Sequence, residues 1–205
     1  MRPRYLFFTT LWLVAAVCAF AQSPETVLYS FLGDPVHIGD GRFPAGSILF
    51  DHSGNLYGVT AYGGPATALD SFCLTVIGCG TVYKLTHSQA GWSESRLYTF
   101  CPTGQSGVSD DCPDGREPLG GLISDNAGNL YGTTVYGGGS SNPGVVFELS
   151  PPVGGGSWTE TVLWTFGGAP GDGSESDQSL TFDTAGNLMA QLAPAVPPIT
   201  EQCFN

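Results

Sequence analysis

Apolar and polar residues alternate along this chain in short runs, and the runs recur. In E-T-V-L-Y-S-F, Val27, Tyr29 and Phe31 share one parity, while Leu28 and Ser30 share the other. Period-two alternation rich in β-branched and aromatic residues, bounded by Gly, Pro, Asn and Asp, predicts a β-strand. The run returns as E-S-R-L-Y-T-F (Glu94 to Phe100) and E-T-V-L-W-T-F (Glu160 to Phe166). Each copy leads through a loop ending in Asp-Gly, at Asp40-Gly41, Asp114-Gly115 and Asp172-Gly173. A short apolar strand follows, S-I-L-F-D, G-L-I-S-D or S-L-T-F-D. No stretch after the N-terminal apolar segment has a helical period.

Those short strands end in an Asp-x-x-Gly-Asn-Leu phrase that occurs three times, beginning at Asp51, Asp125 and Asp183. Gly54-Asn55, Gly128-Asn129 and Gly186-Asn187 tolerate positive φ, so two antiparallel strands are expected to meet at each. Asp51, Asp125 and Asp183 are expected to accept hydrogen bonds from the turn amides, as Asx-turns do. A Tyr-Gly-Gly segment follows in the first two units (Tyr62 to Gly64, Tyr136 to Gly138), then a closing strand, G-T-V-Y-K-L or G-V-V-F-E-L. About four short strands per unit is the content of a propeller blade. A unit of this size cannot bury its own apolar face and must stack on a neighbour.

The expected fold is therefore all-β: propeller-like tandem repeats of about four short antiparallel strands, two full units plus a decayed third. The units span about 25–91, 92–157 and 158–188 of a repeat domain covering 22–188, and an irregular Pro-rich tail covers 189–205. The third unit decays after Leu188, where Met189 replaces the tyrosine of the earlier copies and Ala190 the glycine. Two and a half units leave the ring incomplete, since propellers close with four or more blades.

The first residues change the compartment. Arg2 and Arg4 precede the apolar run Tyr5 to Val17, and Ala19-Phe20-Ala21 is a small-x-small cleavage signal. Residues 1–21 read as a secretory signal peptide, which predicts a secreted or cell-surface protein with no membrane span after cleavage. Loss of the two arginines leaves four basic residues against eighteen acidic ones. That balance argues against nucleic acid or an anionic membrane as partner. Outside the cytoplasm cysteines are read as disulfides. Cys73 and Cys79 bracket one inserted loop and Cys101 and Cys112 another, so the expected pairs are Cys73–Cys79 and Cys101–Cys112. Cys203 is left over. No C-x-x-C occurs, and no histidine stands at metal-ligand spacing from a cysteine pair.

With the copies aligned, the chain resembles the GloVer tandem-repeat family of secreted bacterial proteins. The second unit carries the resemblance in L-Y-T-F-C, in C-P-D-G-R-E-P-L-G-G-L-I-S-D-N-A-G-N-L-Y-G-T-T-V-Y-G-G-G and in G-V-V-F-E-L. The first carries it in D-G-R-F-P-A-G-S-I-L-F-D-H-S-G-N-L-Y-G-V-T-A-Y-G-G. The resemblance implies an extracellular or surface protein built of propeller-like repeats, and it implies no established activity. Members usually carry more units and often a sorting anchor, whereas this tail has none.

Candidate chemistry is sparse. Asp51-x-Ser53-x-Asn55 looks like part of a calcium loop, but the other copies lack the middle oxygen and no bidentate Glu follows. The acidic loop with Asp110, Asp111 and Asp114 is the better cation candidate, set against a plain solvated loop. No cofactor other than calcium is suggested. His37, His52 and His87 share no spacing, and no G-x-S-x-G occurs. Tyr57, Tyr62, Tyr131 and Tyr136 recur at matched positions, either as packing between blades or as platforms for sugar rings. The expected function is a non-enzymatic scaffold or interaction role toward an extracellular protein or glycan, with self-association completing the ring. The alternatives are a carbohydrate-binding module, a propeller-type extracellular hydrolase or lyase, and a truncated remnant of a longer repeat protein.

Overall fold

The computed structural model describes residues 25–32, 40–64, 78–101, 112–139, 142–167 and 179–190. The signal segment, Cys73, Asp110, Asp111, the Asp172-Gly173 loop, the tail beyond residue 190 and Cys203 lie outside them. The described residues contain no helix and form antiparallel sheets only. The first sheet is a four-stranded meander of β1 (Gly41–Phe50), β2 (Leu56–Gly63), β3 (Thr81–Ser88) and β4 (Gly91–Thr99). The second repeats it with β5 (Ile123–Ser124), β6 (Leu130–Thr133), β7 (Val145–Ser150) and β8 (Thr159–Thr165). The third pairs β9 (Thr181–Phe182) with β10 (Leu188–Met189).

The repetition reaches into the register. The ladder between β3 and β4 is irregular between Val82 and Tyr83, and that between β7 and β8 between Val146 and Phe147, which are matched positions. Such an irregularity bends a strand and sharpens its twist.

The sheets are phased differently from the sequence repeat. The run Glu94 to Phe100, which opens the second sequence unit, supplies β4 and hydrogen-bonds to β3 of the first sheet. Its terminal ring crosses over: Phe100 meets Phe147 of the second sheet edge to face, with centroids 5.1 Å apart. The run Glu160 to Phe166 likewise bonds to β7 as β8, while Phe166 packs with Leu180 and, beside it, Leu188 of the third sheet. The opening strands of the second and third sequence units thus belong to one sheet by the backbone and to the next by an aromatic side chain.

The first copy of that run departs from expectation. Glu25 to Phe31 has no ladder partner among the described residues. It keeps the second half of the role, since Phe31 packs edge to face on Tyr83 at 4.8 Å and Tyr29 joins the same cluster with Leu56 and Leu85. A strand needs a backbone neighbour as well as an apolar face, and alternation reports only the face.

The main core lies between the first two sheets. Tyr57, Val59, Val82 and Phe100 meet Leu122, Leu130, Phe147 and Leu149 there. Glycine makes room for the large rings. A Cβ on Gly58 would overlap the Tyr83 hydroxyl, and one on Gly132 would stand 2.5 Å from Phe147 Cζ. The matched residue of the third unit is Ala190, so an aromatic cannot be seated there in the same way.

Candidate functional site

The Gly-Asn turns are built alike three times. One carboxylate oxygen of Asp51, Asp125 and Asp183 accepts the amide N–H two residues on, at 2.8, 2.9 and 2.8 Å. The same oxygen accepts the amide of Asn55, Asn129 or Asn187 at 2.9, 2.9 and 2.7 Å. The other oxygen takes the asparagine side-chain N–H at 2.7–2.8 Å. Gly54, Gly128 and Gly186 hold φ of 79°, 85° and 85°, which closes the turn. In the first two copies a tyrosine adds a fourth bond, Tyr57 Oη–H to Asp51 at 3.2 Å and Tyr131 Oη–H to Asp125 at 3.0 Å. Burial alone would raise all three carboxyl pKa values, but these donors stabilise the charged form and the net shift is downward. Tyr57 is pushed up to about 12 by burial and by the Asp51 charge. Oxygens filled in this way have little left for calcium. Asp125→Ala removes four bonds at once and is expected to lower stability by about 2–4 kcal/mol, read by urea unfolding. Tyr131→Phe, which removes one, should cost about 1 kcal/mol.

A second constellation also repeats. Asp114 is buried, and its Oδ2 accepts from Tyr98 Oη–H at 2.8 Å and Cys101 N–H at 2.9 Å. In the first unit Asp40 Oδ2 accepts Leu32 N–H at 2.7 Å, and Tyr29 bonds the same carboxylate. Each aspartate faces a glutamate on the fourth strand of its sheet, Glu160 against Asp114 and Glu94 against Asp40. Asp114 Oδ1, Glu160 Oε1 and Glu94 Oε1 are shut off from solvent with no hydrogen-bond partner among the described residues. Burial, then the Asp114 charge, lifts Glu160 to about 7. Glu94 is also raised, by burial and then Asp40, with Arg96 opposing. Asp114 itself is raised by burial against the pull of Tyr98 Oη–H and of the backbone N–H groups of Cys101 and Asp114. The residue expected in an acidic surface loop therefore points inward.

The third constellation gathers at the Tyr-Gly-Gly segments. Tyr62 Oη–H donates to Glu117 at 3.1 Å, and Arg116 pairs with Glu117 at 3.1 Å while lying 4.8 Å over the Tyr136 ring. Phe43 and Glu117 occupy matched positions before a proline, and both hold positive φ, 56° and 55°. That region is strained for a residue with a Cβ. Phe43 is 57% exposed, edge to face with Tyr62 at 5.8 Å and with the Arg42 guanidinium 5.0 Å from its centroid. Phe43 was not singled out in the sequence. It lies outside the alternating runs, and an unfavourable φ leaves no mark in composition.

Sulfur completes the picture. Cys101 and Cys112 stand at disulfide-bonding geometry, with Cα atoms 5.2 Å apart. Cys79 is also disulfide-bonded, and Cys73, its expected partner, lies outside the described residues. The Gloeobacter/Verrucomicrobia repeat matches residues 18–193. The chain belongs to this repeat family. Neither curated proteins nor solved structures give a match. In this member of the Gloeobacter/Verrucomicrobia repeat family, Tyr57 and Tyr131 are spent on their turns. Tyr62 is bonded to Glu117 through its hydroxyl, and the Arg116 guanidinium lies over the Tyr136 ring.

Proposed function

We propose that this chain is a secreted or cell-surface scaffold that works by presenting a contact surface rather than by catalysis. The observation that carries the reading is that the repeated polar side chains close on one another. Among the described residues, Asp114 pairs with Glu160 and Asp40 with Glu94, with one oxygen each of Asp114, Glu160 and Glu94 shut off from solvent, while Asp51 and Asp125, which line one cavity, are each bonded into their own turn. A hydrolase or lyase needs its paired acids open to substrate. A propeller-like order of the sheets fits the same reading. β1 and the segments leading into β5 and β9 draw together where a Cβ on Gly46 would stand 2.6 Å from the Gly121 amide nitrogen, and Gly121 N–H donates to Ser179 Oγ at 2.8 Å. An extracellular protein, a glycan or further copies completing a ring are the partners this architecture suits.

One observation favours a glycan among them. Phe43 holds a strained backbone and an exposed ring without gaining burial, and strain kept at an exposed aromatic is the mark of a contact residue. Phe43→Gly relieves the positive φ and is expected to raise stability by about 1 kcal/mol. Retention on insoluble polysaccharide, measured by depletion from solution, should fall at least tenfold in the same variant. Unchanged retention removes the glycan reading. Turnover of glycoside, ester or lactone substrates that disappears in Glu160→Gln would overturn the scaffold reading as a whole.

A further inference from the structure

Three sulfur atoms from different parts of the chain meet between the first two sheets. Cys79 lies just before β3, Cys101 just after β4, and Cys112 in the segment leading to β5. Their Sγ atoms all lie within 4.8 Å of one another, and Cys79 Sγ is 3.9 Å from Cys112 Sγ. That approach joins a cysteine already held in one disulfide to a sulfur of a second. Cys79 and Cys112 are buried, whereas Cys101 is partly exposed and sits at φ 56°, strained for a cysteine.

We propose that Cys79, Cys101 and Cys112 form a disulfide-exchange relay, in which opening of the Cys79 bond by a dithiol reductant moves the second bond from Cys101–Cys112 to Cys79–Cys112. The reductant supplies two electrons, is oxidised to its own disulfide, and leaves Cys79 as a thiolate and its former partner as a thiol. Cys79 Sγ then turns to the side of Cys112 Sγ opposite Cys101 and attacks it, the Cys101–Cys112 bond breaks, and Cys101 leaves as a thiolate that takes a proton. The second step is redox-neutral. The attacking and attacked sulfurs are already neighbours, 3.9 Å apart, so the step begins from contact. The product thiol is the accessible member of the three, which suits it to further exchange with an outside thiol or disulfide.

The consequence is a change in what is tied to what. Cys101–Cys112 closes a loop of sequence separation 11 at the end of the first sheet. Cys79–Cys112 spans a separation of 33 and joins the approach to β3 directly to the approach to the second sheet. The crosslink passes from one loop to the seam between repeats. Backbone bonds already cross that seam, with Glu117 N–H donating to Cys79 C=O at 2.9 Å. A reducing signal would therefore move a brace rather than remove it.

The test is partial reduction of the signal-free chain with up to one equivalent of dithiothreitol, alkylation of exposed thiols, and peptide mapping without further reduction. The expected result is a Cys79–Cys112 linked peptide with alkylated Cys101, in severalfold excess over alkylated Cys79. Alkylated Cys79 beside an intact Cys101–Cys112 peptide overturns the proposal, as does loss of both bonds together at every dose. Cys79→Ser is the second arm. It should leave Cys101 unlabelled at doses that release it in the parent, and equal Cys101 labelling in the two proteins would mean direct reduction instead.

Discussion

Phe147→Ala is expected to destabilise the protein by about 3–5 kcal/mol, the range for deleting a large ring from a closed core. Phe147 is fully buried and stands where the sheets interlock, beneath Phe100 of the preceding sheet and over the glycine seat at Gly132. Its neighbours Leu130 and Leu149 are held by their own strands, and Leu122 by the segment leading into β5, so they cannot collapse into the space. The loss should appear as a lower urea midpoint with unchanged slope. Phe50→Ala is the control: that ring is 69% exposed, and its removal should change stability by less than about 0.5 kcal/mol. Equal effects from the two variants would mean that the seam between the sheets is not where the stability lies.

The second large effect is a dependence on pH that runs opposite to the usual acid sensitivity. Glu160 holds its proton to about 7, against an ordinary value of 4.5. A carboxyl with a raised folded pKa binds its proton more tightly when folded. The stability it supplies is complete below about pH 4.5 and is lost as pH rises from there to about 7. Because Glu160 is only half-buried, the full shift is discounted to about 1–2 kcal/mol. Glu94 and Asp114, also raised, act in the same direction. The turn carboxylates Asp51, Asp125 and Asp183 act oppositely: their lowered pKa values supply stability that disappears as pH falls below the normal carboxylate range. The melting temperature should therefore climb from pH 8 to pH 5 and fall again below pH 4. Glu160→Gln, which keeps a donor and removes the charge, should melt higher than the parent at pH 8 and flatten the rise. A parent and variant with parallel profiles would exclude Glu160 as the source.

The turns were legible in the sequence because everything that makes them is local. Asp51, Gly54 and Asn55 lie within five residues, and their side chains bond to amides inside the same span. Most strands were legible as strands for the same reason, since alternation is a local property, although Glu25 to Phe31 alternates without being paired among the described residues. Pairing is not. Nothing in E-S-R-L-Y-T-F says that its backbone turns to the strand before it while Phe100 turns to the sheet after it. Tyr57 and Tyr131 were noticed as matched positions, and their bonds to Asp51 and Asp125 follow once strand direction brings positions six apart together. The Asp114–Glu160 pair and the approach of Cys79 to Cys112 join residues far apart in the chain, so only the folded arrangement brings them into view.

The division of the second and third opening strands between two sheets also bears on how such genes lengthen. A duplicated stretch of one sequence unit carries both halves of the joint: a backbone edge that completes the sheet behind it and an aromatic ring that plugs the sheet ahead. Every new copy therefore arrives already fitted to its neighbours, wherever along the unit the crossover happens to fall. Length can change by whole units without inventing an interface, and selection is left to act on the loops.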